Sequence, residues 1–315
     1  MTTLTLQRGT AERLRAYARL AKLSFFDYYL SALVAVTLAP PGLRGSARGW
    51  TTLVVLTVGW VAVVAATVTF DDVTGYTDGS DQVNYDPRQH VLRKRTRKPL
   101  LDGYLSVPEA LRFAYLAVLV AAVVLACAVG VAPYRPGWAV GLVALVLVMS
   151  VQYSYGLKLS YNGGQELVLM VSTGLTVLVP FGLLTGRSTG LALAETYLFG
   201  LWSLLVSVYS NINDLDGDRA AGRRNMAVMC SPGAYRVFVM SLVASQVAVA
   251  AAAAAVSAAP WWLLLAVVPA LAMHVTQVRI GLFAGNPLAA RKLGIRAHRW
   301  GTAVLVVANL LMVTR

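Results

Sequence analysis

The sequence predicts an all-α, multi-pass membrane helical bundle of about nine transmembrane helices, and three observations support this fold class. Hydrophobic residues make up 57% of the 315 positions, whereas charged residues make up only 13%, about half the share typical of soluble domains. The apolar residues fall into blocks of roughly 17–25 residues, the length that spans a bilayer as a helix. Most of these blocks also lack the polar stripe that a soluble amphipathic helix presents to water.

Nine apolar blocks define the predicted spans. They cover residues 23–39, 50–70, 109–132, 137–155, 166–184, 189–210, 234–257, 260–282 and 299–314. The first 22 residues are basic and have no long apolar core, so they predict an amphipathic interfacial segment and not a cleaved signal peptide. We therefore treat residues 1–315 as one membrane-embedded domain, with residues 1–22 as its interfacial N-terminal segment.

The basic residues predict the orientation of the chain in the cell membrane. With a cytoplasmic N-terminus, the N-terminal segment and the even-numbered connections, counted together with the span ends that adjoin them, carry 22 of the 27 Lys and Arg residues. Because cytoplasmic connections are enriched in Lys and Arg, the long polar loops at 71–108 and 211–233 are predicted to be cytoplasmic. Topology signals and contacts with anionic lipids of the bilayer explain most of the net charge of +13. No soluble domain is available to bind nucleic acid.

Carboxylates are concentrated in the same two loops, which hold nine of the 14 Asp and Glu residues. Helical spacing places four side chains of the first loop on one helix face, namely Asp71, Thr74, Asp78 and Asp81. The second loop repeats this spacing with Asn211, Asp214 and Asp218. A solvated acidic helix end would explain either cluster alone, but two matching clusters on one side of the membrane favour a shared cation.

Oxygen ligands on two helix faces suit Mg²⁺, which proteins bind through a few carboxylates together with substrate phosphates. Crowded carboxylates also repel one another unless a cation lies between them. His274 and His298 are too isolated in the sequence to form a metal site of their own. The predicted metal ligands are Asp71, Asp72, Asp78, Asp81, Asn211, Asp214 and Asp218.

Basic residues beside the acidic clusters complete a predicted diphosphate site. Arg side chains bind phosphate oxygens in pairs, and Lys supplies a point charge. The orientation of the chain in the membrane explains at least half of the basic run at 93–98. Lys158, in contrast, is the one charged residue of its loop, and this isolation favours a functional role for it. The predicted diphosphate ligands are Arg88, Arg95, Lys98, Lys158 and Arg224.

These motifs resemble those of the UbiA superfamily of intramembrane prenyltransferases. Residues 71–81, DDVTGYTDGSD, look like the first family motif, NDxxDxxxD, and residues 95–100, RTRKPL, resemble the RTxxRPLxSG segment that follows it. Residues 210–224, SNINDLDGDRAAGRR, closely match the second motif in its menaquinone-branch form, NDxRDxEGDxxxGRRT. Residues 153–158, YSYGLK, are similar to a YSxxxK stretch, and residues 164–166, GQE, to a GxGE stretch of the menaquinone branch.

The first motif departs from the family pattern. In the register that aligns Asp71 with the usual Asp, Phe70 replaces Asn and Thr74 replaces the middle Asp. In the alternative register, Asp71 replaces Asn and Gly75 replaces Asp. One metal ligand is therefore missing or displaced in either register. The residues expected to take up its coordination are Asp72, Asp78 and Asp81.

The resemblance implies an enzyme that uses Mg²⁺ to cleave an allylic isoprenyl diphosphate and transfers the isoprenyl group to an aromatic acceptor. Lys158, Tyr155 and Tyr153 are the predicted catalytic residues, and aromatic rings, Tyr209 and Phe70 among them, could face the allylic cation, although packing is the commoner role of such rings. A terpene cyclase is the alternative, because there the same cation is captured by its own distal double bond. A transporter is disfavoured, since transporter sites lie near the membrane midplane.

Overall fold

The computed structural model describes residues 9–86 and 95–312, and this part of the chain is helical, without a strand. Short 3₁₀ turns lie at Phe26–Leu30, Arg95–Arg97 and Leu159–Tyr161, and a π-helical turn lies at Arg279–Phe283. The α-helices of the described residues are α1 (Thr10–Leu20), α2 (Ser31–Leu38), α3 (Pro41–Arg44), α4 (Ala47–Thr77), α5 (Ser80–Asn84), α6 (Val107–Val131), α7 (Gly137–Val151), α8 (Gln165–Thr185), α9 (Gly190–Asn213), α10 (Leu215–Ala220), α11 (Met226–Met229), α12 (Pro232–Ala255), α13 (Trp262–Val278) and α14 (Pro287–Met312).

The predicted fold class is confirmed, because the apolar blocks form the helices of one bundle. Six helices of the described part are long and apolar enough to cross a bilayer: α4, α6, α8, α9, α12 and α13 with its extension to Phe283. Phe26–Leu38 and Gly137–Val151 are shorter apolar helices. The count of nine spans remains a prediction.

The last helix begins earlier than the sequence predicted. Helix α14 starts at Pro287 and not near residue 299, because its first half is basic and was not recognised as part of an apolar block. Asn286 caps this start, since its Oδ1 accepts a hydrogen bond from the Ala289 amide at 3.1 Å. Proline is favoured at a first helical position, where its missing N–H is not needed.

Helix α9 occupies the centre of the bundle and packs against α8, α12 and α14. Its side chains Leu198, Trp202 and Tyr209 are fully buried. Glycines bring α8 against α9, because a Cβ at Gly174 would lie 2.6 Å from the Thr196 carbonyl oxygen and a Cβ at Gly200 would lie 2.2 Å from that of Met170. Such small residues permit close helix packing in membranes.

A buried polar contact fixes α14 against α9. Glu195 on α9 is fully buried, and its Oε2 accepts a hydrogen bond from Asn309 Nδ2 at 2.9 Å. The same Asn309 amide approaches Thr37 Oγ1 on α2 at 3.5 Å. Because polar groups inside a membrane protein are costly unless they are paired, this contact holds the register of the three helices.

The N-terminal helix lies against the end of the bundle that carries the polar loops. Ala16 and Leu20 of α1 are buried. Arg13 pairs with Glu109, and Arg19 donates a hydrogen bond to the Thr96 carbonyl at 3.0 Å. An interfacial position for residues 1–22 remains a prediction. The structure describes this segment from residue 9 onward.

Cysteine labelling tests the predicted orientation. In a chain whose Cys127 and Cys230 are replaced by alanine, we expect a membrane-impermeant thiol reagent to label Arg224→Cys from the cytoplasmic side only. Arg187→Cys should be labelled from the opposite side only, since positive-inside asymmetry orients the chain. Both arginines are exposed. The reverse labelling pattern would contradict the orientation.

Candidate active site

One cavity of about 500 Å³ lies between the ends of α4 and α9 and is also lined by α7, α8, α14 and residues 22–29. This volume falls within the range of small-molecule sites. Charged side chains of both acidic motifs line one end. Away from that end the walls include valines, leucines, Trp60 and several Ser and Thr hydroxyls.

The first motif reaches the cavity through two carboxylates on two different helices. Asp71 lies near the end of α4, where its Oδ1 accepts hydrogen bonds from Ser154 Oγ at 2.7 Å and Arg223 Nη2 at 3.1 Å. Gly79, with φ of 84°, then breaks the helix, and α5 folds back. Glycine adopts a positive φ without the steric cost that a side chain brings.

Asp81 on α5 occupies space that a side chain at position 75 would fill. A Cβ at Gly75 would lie 2.9 Å from the Asp81 Cγ. The carboxylate that is missing from the middle of the first motif is thus supplied from the following helix. In the alternative register, the family pattern has Asp at position 75. The contact with Asp81 gives a physical reason why this chain has glycine there.

The buried Lys98 and the partly exposed Lys22 neutralise carboxylates of the first motif. Lys98 Nζ lies 2.8 Å from both Asp72 Oδ1 and Asp81 Oδ1, and Lys22 Nζ lies 3.0 Å from Asp72 Oδ1. Burial raises the pKa of the Asp81 carboxyl to about 6, although the Lys98 ammonium lowers it. The two carboxylates outweigh burial at Lys98 and raise the pKa of its ammonium well above the usual range. Lys98 therefore carries its charge inside the site.

The second motif is positioned by amide and carboxyl groups of α8. Asn211 Oδ1 accepts a hydrogen bond from Gln165 Nε2 at 2.8 Å, and its Nδ2 donates to Glu166 Oε1 at 3.1 Å. The Asp218 carboxylate accepts a hydrogen bond from Asn225 Nδ2 at 2.7 Å. The GQE stretch thereby orients Asn211 of the second motif through two side-chain hydrogen bonds.

Two contacts join the motifs. Arg223, which is 9% exposed, places its Nη2 3.1 Å from Asp71 and its Nε 3.7 Å from Asp218. Helix α5 also packs on α10, where a Cβ at Gly217 would lie 2.2 Å from Asn84 Oδ1. The carboxylates of both motifs therefore face one end of the same cavity.

The residues of this end fit a hard divalent cation that is bound together with a phosphate group. No set of three or more His, Cys, Asp or Glu side chains within residues 9–86 and 95–312 could hold a metal alone. Mg²⁺ needs no such cage, since one or two carboxylates and substrate phosphates suffice. Burial raises the pKa of Asp218 to about 7 against the effect of Arg223, and the charge of Asp214 adds to the rise. The buried Asp81 Oδ2 also has no hydrogen-bond partner in the described part of the chain.

The structure brings many of the predicted site residues to the cavity. Its lining includes Asp71, Asp81, Lys98, Tyr153, Asn211, Asp214 and Asp218. Asp72 is buried behind this surface between the two lysines. Asp78 is exposed and accepts a hydrogen bond from Tyr161. Asp72 and Asp78 therefore support the first motif from outside the cavity.

Four other predicted residues do not line the cavity, and their roles in the site remain predictions. Lys158 is exposed at a positive φ of 48° and has its Nζ 5.3 Å from the Tyr161 ring centroid. Tyr155 stacks on Phe70 with ring centroids 4.5 Å apart. The remaining two, Arg95 and Arg224, are exposed. Arg88 lies outside the described residues.

Other cavity residues were not predicted. Lys22 and Arg97 lie at the charged end, and Arg223 takes the place expected for its neighbour Arg224. A second group comes from α14, whose residues 288, 291, 292, 295 and 298 line the opposite wall. Their spacing of three and four residues marks one helix face, and this signal was readable in the sequence.

The fold and the cavity define a helical membrane protein with an acidic, cation-lined chamber. The UbiA prenyltransferase family matches residues 28–293, and the chain belongs to this family. A structure of digeranylgeranylglyceryl phosphate synthase is similar, with 13% identity and a TM-score of 0.62 over 96% of this chain and 99% of that one. No curated protein sequence matches significantly.

Archaeal structures share the fold as well. A UbiA homologue from Aeropyrum pernix K1 has 16% identity and a TM-score of 0.65 over 91% of this chain and 98% of that one. A UbiA homologue from Archaeoglobus fulgidus, bound to DMAPP and Mg²⁺, has 14% identity and a TM-score of 0.61 over 92% and 99%. Membership of the menaquinone branch remains a prediction.

The contact between α5 and α10 predicts the effect of filling Gly217. Gly217→Ala should lower the melting temperature of the detergent-solubilised protein, because its Cβ would lie 2.2 Å from Asn84 Oδ1. Overpacking costs about 1–3 kcal/mol, against at most about 1 kcal/mol that alanine adds to helix stability. Asn84→Ala in the same chain should restore it. Gly233→Ala is the control, since its Cβ would have no neighbour within 4 Å. An unchanged melting temperature in Gly217→Ala would contradict this packing.

Proposed function

We propose that this protein is a Mg²⁺-dependent intramembrane prenyltransferase that transfers an isoprenyl group from an allylic diphosphate to an aromatic acceptor. The observation that carries the proposal is the convergence of both acidic motifs and buried cations on one cavity with apolar walls. Family membership supports prenyl transfer as the class of reaction. The complex of the Archaeoglobus fulgidus homologue with DMAPP and Mg²⁺ supports this class of donor.

The charged end of the cavity would hold the diphosphate. Asp71, Asp81, Asp214 and Asp218 would supply carboxylate oxygens to Mg²⁺, and Asn211 would supply an amide oxygen. Held by these oxygens, the ion would offset the negative charge of the leaving diphosphate. Fixed charges that face the atoms where charge develops need no rearrangement during the reaction. Lys98 and Arg223 contribute such charges, because both are buried and line the cavity.

The composition of the inner walls favours transfer over cyclisation. Hydroxyl groups line the cavity between α4, α8 and α9, including those of Thr67, Ser172, Thr173, Ser203 and Ser207. A chamber that folds a hydrocarbon cation must keep oxygen nucleophiles away from it, since they would quench the cation. A polar second substrate, in contrast, can use such hydroxyls. Tyr153 is the one predicted catalytic tyrosine that faces the cavity, and its ring would stabilise the allylic cation.

The proposal places the reaction at the cytoplasmic face of the cell membrane. The two acidic loops belong to the side that the positive-inside pattern makes cytoplasmic, and a soluble isoprenyl diphosphate could reach the charged end from there. The isoprenyl tail would extend between apolar walls that include Val64, Val68, Val146 and Leu169.

Charge removal at the second motif tests the metal assignment. Asp218→Asn and Asp214→Asn should lower Mg²⁺-dependent pyrophosphate release from allylic diphosphates at least a hundredfold, since metal coordination supplies several kcal/mol of charge stabilisation. Asp216→Asn is the matched control, because its carboxylate is 90% exposed and pairs with Arg219 in the same helix. Equal losses in all three variants, or none, would contradict the assignment.

Product mass separates the two candidate reactions. Membranes that contain the protein are incubated with allylic diphosphates of several lengths, with and without a pool of aromatic compounds. Transfer predicts a product whose mass is the sum of the acceptor and the isoprenyl group, formed only when the pool is present. A cyclic hydrocarbon or its alcohol, formed equally in both incubations, would favour the cyclase.

A further inference from the structure

Three carboxylates of the first motif face three cations that lie outside the motif. The carboxylates are Asp71, Asp72 and Asp81, and the cations are Lys22, Lys98 and Arg223. Lys98 Nζ lies 2.8 Å from both Asp72 Oδ1 and Asp81 Oδ1. The carboxylate of Asp71 lies 3.1 Å from Arg223 Nη2. Protein side chains therefore balance the negative charge of this group of carboxylates.

Lys98 occupies the space between two of these carboxylates. Its side chain is almost fully buried, and its ammonium bridges Asp72 on α4 and Asp81 on α5. A cation between crowded carboxylates offsets their mutual repulsion, and this is also the effect of a metal ion in an acidic site. A divalent ion could bind the same two oxygens only if Lys98 left them.

The backbone around Lys98 holds the lysine in this position. Its amide donates a hydrogen bond to the Arg95 carbonyl at 2.9 Å, and its carbonyl accepts one from the Asp102 amide at 3.2 Å. Two residues further on, Leu100 is buried in the same hydrophobic cluster as Leu20 of α1. The lysine is therefore part of the folded site and not a solvated surface charge.

A second lysine adds to this arrangement. Lys22 lies two residues after α1, its φ is 48°, and its Nζ lies 3.0 Å from Asp72 Oδ1. A residue other than glycine keeps a positive φ only where the surrounding structure enforces it, and such conformations concentrate at functional sites. Two ammonium groups therefore share the Asp72 Oδ1 atom, which makes this oxygen a poor ligand for a metal ion.

The cavity side of the site keeps carboxylate oxygens for one metal ion. Arg223 lies nearer to Asp71 than to Asp218, since its nitrogen–oxygen distances to them are 3.1 and 3.7 Å. Asp218 lines the cavity. Asp81 lines it as well, and its buried Oδ2 has no hydrogen-bond partner in the described part of the chain. An ion bound by these carboxylates would leave Lys98 in place.

We propose that Lys98 takes the place of a metal ion at the first motif, so that the protein binds its diphosphate substrate with a single Mg²⁺. Two acidic motifs could otherwise hold one ion each. This inference rests on the proposed function, because it assumes that Mg²⁺ and a diphosphate bind together. It adds the number of ions, and it gives a role to the altered first motif, whose displaced carboxylate, that of Asp81, holds the lysine.

Counting the bound ions tests this inference without turnover. The protein in a non-ionic detergent is dialysed to equilibrium against radiolabelled pyrophosphate and Mn²⁺, which serves as a probe for Mg²⁺. We expect one Mn²⁺ per bound pyrophosphate, with the electron paramagnetic resonance spectrum of a magnetically isolated ion. Two ions per pyrophosphate, with a spin-coupled spectrum, would overturn the proposal. Absence of Mn²⁺-dependent pyrophosphate binding would instead overturn the proposed function.

Replacement of Lys98 tests the residue itself. Lys98→Ala should bind two Mn²⁺ per pyrophosphate, because Asp72 and Asp81 lose the ammonium between them. Lys98→Arg should bind one, since it keeps the charge. Arg112→Ala is the control and should also bind one, because Arg112 is exposed on α6 and does not line the cavity. A ratio of one in Lys98→Ala would overturn the assignment of Lys98. If Lys98→Ala elutes as aggregate from a sizing column, the wild-type ratio decides the proposal.

Discussion

The structure depends on the neutralisation of several carboxylates that are buried at one end of a membrane bundle. Charges removed from water are unfavourable unless they are paired, and here the partners come from distant parts of the chain. Arg223 contacts Asp71 across 152 residues, and Lys98 bridges Asp72 and Asp81. These ion pairs join the ends of α4 and α5 to each other and to the segment that follows α10. The ion pairs that hold these helix ends together therefore also form the charged end of the cavity.

Local backbone features place these charges. Gly79 permits the turn that returns Asp81 to α4, Gly75 leaves room for its carboxylate, and Gly217 admits Asn84 against α10. Each of these positions would clash or become strained with a larger side chain. The first motif, which departs from the family pattern at position 75, therefore has a glycine there that leaves room for the Asp81 carboxylate of the next helix.

The helices were predictable because apolar length is a strong signal, and the acidic motifs were predictable because carboxylates are rare in such a sequence. The division between Arg223 and Arg224 was not predictable, since the chain leaves α10 near Gly222 and no helical period applies there. Lys158 does not line the cavity, and this too was not predictable, because spacing in an irregular loop does not determine where a side chain points. The basic half of α14 was missed because only apolar blocks were taken as spans.

Arg223 joins the two motifs, and we infer that they act as one site only while this contact is made. Calorimetric titration of pyrophosphate tests it most directly, with and without Mg²⁺, on the wild type and on the matched pair Arg223→Gln and Arg224→Gln. The account predicts Mg²⁺-dependent binding that weakens at least tenfold in Arg223→Gln and is unchanged in Arg224→Gln. Binding that is independent of Mg²⁺, or that is equal in both variants, would contradict it.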